Sequence, residues 1–171
     1  IDEPNIDFII LTHCHLDHLG SLPILLRKYP KARVITSTPN LTLAPRMLRN
    51  SINVMKRQCE ELSISEYPLY LHKDIDILKK QLVALPYRKK EKFFKKNEVI
   101  ELTLHEAGHV LGSSTLEISY NNINIIHTGD VLFDNQRTIK GANLPKKKID
   151  VLFLETTKGA DNSNMNYNRN E

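Results

Sequence analysis

The chain has 171 residues, with 24 basic and 20 acidic side chains for a formal charge of +4, and it is 40% apolar and 26% charged. That length suits one domain with at most part of a second, and ordinary globular usage excludes wholesale disorder, a collagen repeat and a disulfide scaffold. So mild a charge permits a polyanionic partner without requiring one, because its effect depends on where the lysines cluster.

In chain order, residues 6–12 read as a buried strand, a short apolar run that ends at a polar, histidine-rich loop. Residues 17–29 read as a helix with Leu19, Leu22, Leu25 and Leu26 on one side, and Pro23 marks a kink or a late start. Residues 32–36 form a second short strand. Apolar side chains at three-, four- and sevenfold steps (Leu41, Leu48, Ile52, Met55, Cys59, Leu62) predict a long helix over 41–62, starting at Pro45. A shorter helix follows over 73–82. Strands dominate thereafter, at 83–87, 99–106, 115–120, 124–128 and 149–155. Asn121-Asn122 makes a tight hairpin turn, since Asn tolerates positive φ. Strands and helices alternate early and strands dominate later, so the fold class is a layered α/β fold. The longest apolar runs fall far short of the roughly 20 residues a membrane helix needs, and no signal peptide is visible. The only two cysteines, Cys14 and Cys59, suit a reducing compartment such as the cytoplasm.

The chemistry is concentrated in Thr12-His13-Cys14-His15-Leu16-Asp17-His18, which follows directly on a hydrophobic strand. While the backbone stays extended, His13 and His15 point to one face and Cys14 to the other. Two imidazoles are thereby delivered to one metal ion and the thiol is removed from it. As the chain turns into the helix, Asp17 and His18 swing round to serve a second metal, and imidazole with carboxylate is a donor set zinc favours. His109 sits in a glycine-flanked turn, Gly108-His109-Val110-Leu111-Gly112, where the backbone can turn tightly and present the ring. Asp130 follows Gly129 at a strand end, where an isolated aspartate is ordinarily a turn residue. His105 and His127 lie within strands and are not taken as ligands. His72 reads as a loop or helix-start residue.

Thr-His-x-His-x-Asp-His, then Gly-His, then Gly-Asp resembles the metallo-β-lactamase superfamily of binuclear zinc hydrolases. Residues 16–23 (Leu-Asp-His-Leu-Gly-Ser-Leu-Pro) and 107–114 (Ala-Gly-His-Val-Leu-Gly-Ser-Ser) are similar to motifs of its β-CASP branch of RNA- and DNA-processing nucleases. Thr38-Pro39 with the helix through Leu48-Arg49, and Pro68-Leu69-Tyr70 before a charged helix, match the same branch. The resemblance runs to about Gly159. It implies an αββα sandwich, partial here: residues 1–159 would be part of the catalytic core and 160–171 a polar tail opening the β-CASP insertion. It also implies that His13, His15 and His109 bind one zinc, that Asp17, His18 and Asp130 bind a second, and that Asp130 bridges the two. A hydroxide between the metals would then attack a phosphodiester in line, with Asp17 orienting its proton. In this branch a further histidine ligand and a proton-donating histidine lie beyond the insertion, whereas no histidine follows His127. The branch's opening strands would precede Ile1, and Lys158 stands where its 154–159 segment has an aromatic residue. The expectation is a fragment of a longer nuclease, weak or inert by itself.

The run Arg88-Lys89-Lys90-Glu91-Lys92-Phe93-Phe94-Lys95-Lys96 is the densest positive stretch. Lysines can hold phosphates and exposed Phe rings can stack on bases, which makes Arg88, Lys89, Lys90 and Lys92 candidate nucleic-acid contacts. The alternative is a solvated connection between strands with its Phe residues facing the core. For the whole protein the leading expectation is an RNA nuclease, with DNA an alternative substrate and a homodimer or an RNA-processing complex as possible settings. A (thio)ester or lactone hydrolase of the same fold and a non-catalytic scaffold subunit stand as the competing readings, since fold alone does not separate them.

Overall fold

The computed structural model of the protein describes residues 5–95 and 97–157. The tail over 160–171 and the end of the 154–159 segment lie outside the described residues. The chain forms two compact units that divide between Ala84 and Leu85.

In the first unit, strands β1 (Phe8–Ile10), β2 (Arg33–Ser37) and β3 (Leu82–Leu85) form a sheet in that order. β1 and β2 are parallel, with Ile9 opposite Val34, so both strands deliver their carboxyl ends, and the loops that follow, to the same edge. The helix expected over 17–29 is two helices, α1 (Leu16–Leu19) and α2 (Leu22–Lys28). The chain breaks at Gly20-Ser21, and Pro23 falls in the first turn of α2, where its missing N–H costs nothing. Leu19, Leu22 and Leu26 are buried. Leu25, expected on the same side, is 40% exposed, because the buried face of α2 runs through Leu22, Pro23 and Leu26 and leaves Leu25 outside it.

α3 (Asn40–Leu62) is a 23-residue helix that begins five residues before the expected start at Pro45. Pro45 is inside the helix and buried, in its second turn. Its ring removes the N–H that would have bonded the Leu41 carbonyl. Ala44, Leu48 and Ile52 are fully buried in the first unit's core, so the apolar stripe carries the helix past the proline. α4 (His72–Gln81) starts at His72, and Asp74 in its first turn accepts the Leu71 N–H at 2.7 Å.

The second unit is a five-stranded sheet in chain order: β4 (Glu91–Lys95), β5 (Glu98–Glu106), β6 (Ser114–Tyr120), β7 (Ile123–His127) and β8 (Val151–Phe153). β4 through β7 are antiparallel neighbours, and β8 adds parallel to β7. The β6–β7 turn places Asn121 at φ 48° and Asn122 at φ 62°, as the Asn-Asn pair predicts. β4 occupies the basic run that the sequence offered as a connection or a binding edge. Glu91-Lys92-Phe93-Phe94-Lys95 pairs antiparallel with β5, with Phe93 opposite Ile100.

Candidate metal centre

The loop after β1 gathers three histidines within the first unit. His13 is fully buried, its Nε2 lies 3.1 Å from His15 Nδ1, and its other ring nitrogen is 3.2 Å from Thr12 Oγ1. The His18 ring centroid is 4.2 Å from that of His13, and His18 Nε2 is 3.4 Å from Asp17 Oδ2. His15 occupies the N-cap position of α1 without a side-chain cap bond, and the turn into α1 brings His18 back beside His13. Cys14 turns inward, as the alternation requires. Its thiol donates to Asn40 Oδ1 at 3.1 Å, and burial pushes its pKa up to about 12. The thiol therefore stays protonated, outside the donor set.

The second unit carries His109 and Asp130. His109 sits in the β5–β6 loop, between Gly108 at φ +71° and Gly112 at φ +85°. A Cβ on Gly108 would lie 2.3 Å from the Leu132 carbonyl oxygen, so both the conformation and the space demand glycine. Ser113 Oγ accepts the N–H groups of His109 and Val110, each at 3.2 Å. From the loop after Asp130, Gln136 Nε2 donates to the Gly108 carbonyl at 2.7 Å and the His109 carbonyl at 3.0 Å. Asp130 follows the Thr128-Gly129 turn, where Gly129 has φ +58° and the Thr128 hydroxyl accepts the Glu155 N–H at 3.2 Å. These supports bring His109 Nε2 to 3.5 Å from Asp130 Oδ2.

Gln136 carried no sequence signal of its own, whereas Thr12 and Glu155 lay within the quoted motif segments without a role assigned to either. Glu155 accepts the Val131 N–H beside Asp130 at 3.4 Å and the Thr157 N–H at 2.9 Å. The Thr157 bonds first, then the Val131 N–H and lastly the nearby His109 outweigh burial and hold its carboxyl below the usual range. His105 is engaged elsewhere, with its Nε2 2.8 Å from Glu117 Oε2. Burial raises the Glu117 pKa, but the bonds from Lys147 and His105 outweigh it and leave the group a carboxylate. His127 accepts the Gly129 N–H and stacks on Phe153 at 5.9 Å.

Four cations of the basic run, Arg88, Lys89, Lys90 and Lys92, each face a glutamate. Arg88 pairs with Glu106 at 3.0 Å, Lys89 with Glu91 at 2.7 Å, and Lys90 and Lys92 with Glu101 at 2.7 and 3.3 Å. These four cations lie in ion pairs, three of them with glutamates of β5, and their charge is largely cancelled locally.

Residues 1–146 match the Metallo-beta-lactamase superfamily. The chain belongs to that superfamily. It is 31% identical over 158 residues to the transcription termination factor FttA of Methanocaldococcus jannaschii, covering 91% of this chain and 24% of that protein. It is 30% identical to the cleavage and polyadenylation specificity factor subunit 3 of Dictyostelium discoideum, over 92% of this chain and 19% of that one. It is also 30% identical to the probable RNase MJ4 of M. jannaschii, over 91% of this chain and 35% of that protein. The chain thus spans 19–35% of the length of these curated relatives. They agree with the β-CASP resemblance carried by residues 16–23 and 107–114.

For a metallo-beta-lactamase chain the donor chemistry fits a metal. Two nitrogens bound at about 2.0–2.1 Å in tetrahedral geometry stand about 3.3 Å apart, and His13 Nε2 and His15 Nδ1 are 3.1 Å apart. Thr12 gives the buried His13 a partner for its other ring nitrogen, which helps to hold the orientation of the ring.

Proposed function

We propose that the protein is a zinc-dependent nuclease that hydrolyses phosphodiester bonds in RNA. The observation that carries this reading is similarity over nine-tenths of the chain to a probable RNase and to a cleavage and polyadenylation factor subunit. The histidine loop, with its donor pair at 3.1 Å, supports it independently. In this reading His13, His15 and His109 hold one zinc and Asp17, His18 and Asp130 a second, with Asp130 shared. When bound, the two ions supply Lewis-acid charge that lowers the pKa of water and offsets the charge building on phosphorus. The chain's own residues supply the positioning. Asp17, three-quarters exposed, orients the proton of the attacking water, and Thr12, Ser113, Gln136 and Glu155 lock the segments that carry the ligands. The substrate is RNA in preference to DNA, and the name of the Dictyostelium relative as a subunit favours action within a larger RNA-processing assembly. Two free thiols fit a cytoplasmic setting, and among the described residues no helix is long and apolar enough to cross a membrane.

The test uses the intact protein with zinc, a labelled single-stranded RNA and a thioester in parallel. RNA cleavage should be abolished by a chelator, restored by zinc, and reduced more than about 100-fold by His13→Ala or His109→Ala. Consumption of the thioester alone would sink the nuclease reading. Robust turnover by the isolated 171 residues would overturn the expectation that they are weak or inert alone.

A further inference from the structure

The first unit contains an open groove of about 410 Å³ lined by Leu41, Thr42, Pro45, Arg46, Arg49 and Lys79. Its wall is the first three turns of α3, and Lys79 closes it from α4. Exposed Leu41 and buried Pro45 supply the apolar part of its lining, and Arg46, Arg49 and Lys79 the cationic part. Arg49 shares its charge with the exposed Asp76 at 3.1 Å. Arg46 and Lys79 have no anionic partner among the described residues, in contrast to the glutamate-paired run at Arg88–Lys92.

Position ties this groove to the histidine loop. Asn40, the residue before Leu41, is fully buried, and its side chain accepts the Cys14 thiol at 3.1 Å while donating to Thr36 Oγ1 at 2.9 Å. Cys14 lies between His13 and His15. The start of α3 is therefore latched onto the histidine loop, and both follow the carboxyl ends of the parallel strands β1 and β2. That edge is where ligands bind in open α/β sheets.

We propose that this groove, which begins one residue beyond the Asn40 latch to the histidine loop, binds a nucleotide of single-stranded RNA, with Arg46 and Lys79 holding backbone phosphates and exposed Leu41 offering an apolar seat to a base. This inference rests on the nuclease reading for its choice of polyanion. Unpaired cations flanking an apolar side chain match the chemistry of a nucleotide, a charged backbone joined to a flat apolar ring. An acidic polypeptide would use the cations and leave Leu41 bare.

The experiment measures binding of a short, hydrolysis-resistant single-stranded RNA to the intact zinc-loaded protein by fluorescence anisotropy across a salt series. For Arg46→Gln/Lys79→Gln, affinity should fall about 10-fold or more, uniformly across sequences. The slope of log affinity against log salt should become shallower by about 1.4, the loss of two single-strand phosphate contacts. Lys89→Gln/Lys90→Gln, at paired positions, should change the slope much less. Both substitutions alter exposed side chains, so an unchanged melting temperature establishes that the variants fold. Unchanged RNA affinity and slope in the Arg46/Lys79 variant would overturn the proposal. So would a loss confined to the Lys89/Lys90 variant, or displacement of the RNA by polyglutamate at matched charge. Failure of the nuclease reading shows separately, as absent cleavage of unmodified RNA by the wild-type protein.

Discussion

The side-chain amide of Gln136 joins two segments that carry candidate ligands. It projects from the loop just after Asp130 and donates to the carbonyls of Gly108 and His109, while His109 Nε2 stands 3.5 Å from Asp130 Oδ2. One NH₂ group thus ties two segments whose donors lie 21 positions apart in the chain, alongside the backbone bond from the Leu132 N–H to the Ala107 carbonyl at 2.9 Å. Gln136→Met keeps the length and removes the donors. Zinc affinity in chelator competition should drop about 10- to 100-fold, the usual cost of losing an outer partner of a ligand, with little change in melting temperature. Wild-type affinity in that variant would refute the role. Gln136→Lys, which restores an N–H donor, should recover part of the loss. The histidines themselves were legible in the sequence because four donors crowd into residues 13–18 with an alternation that survives any reasonable fold. Gln136 was not, because an amide that bonds two backbone carbonyls 27 and 28 residues away leaves no periodicity and no motif.

Elements were legible where burial imposes a period, and less so where local chemistry competes with it. The apolar stripe of α3 predicted a long helix, and it is strong enough to accommodate Pro45 in the second turn. Proline placed too much weight on itself as a start signal, since one lost hydrogen bond is outweighed when Ala44, Leu48 and Ile52 are all fully buried. β4 was hidden because its lysines read as a charge run, and the glutamates that pair with them come mostly from β5 and beyond. A tie between helices was equally hidden. Arg27, at the end of α2, donates through Nε at 3.1 Å and Nη2 at 2.6 Å to the Asp74 carboxylate in α4, and through Nη1 to the Leu69 carbonyl. The guanidinium hydrogen bond, chiefly, holds the Asp74 carboxyl below its ordinary value despite burial. A depressed carboxyl pKa stabilises the folded state above the unfolded value of about 3.9, and that contribution disappears as pH falls through the folded value. Asp74→Asn keeps the acceptor for Leu71 and removes the charge. It should cost about 1–2 kcal/mol near pH 7, a charged hydrogen bond discounted because Arg27 is half exposed. Urea denaturation from pH 7 downward should show the wild-type advantage shrinking below about pH 4. An advantage that stays constant through that range would mean the charge contributes nothing.

At the scale of the molecule, the two edges of the second sheet are treated in opposite ways. β4 presents Glu91, Lys92 and exposed Phe94 in a charged, ion-paired strand, the usual guard against edge-to-edge pairing. β8 presents Val151, Leu152, Phe153 and then Leu154, which are 39%, 50%, 56% and 51% exposed. Successive residues of a strand point to opposite faces, so neither face of β8 is well covered. A strand paired in parallel is ordinarily buried on both sides. Four adjacent exposed apolar side chains on an unguarded edge make a surface that associates in water. The 171-residue chain by itself should therefore self-associate with rising concentration in sedimentation velocity, through β8 and not through β4. Leu152→Lys/Leu154→Lys places two charges on one face of that edge and should shift the chain strongly toward monomer. Its stability should change by no more than about 0.5 kcal/mol, since both residues are half exposed and lose little burial. The matching change on β4, Phe94→Lys, should leave the association as it was. A wild-type chain that stays monomeric across the concentration series would refute this reading of the edge, and equal relief from the β4 substitution would move the sticky surface to the other side of the sheet.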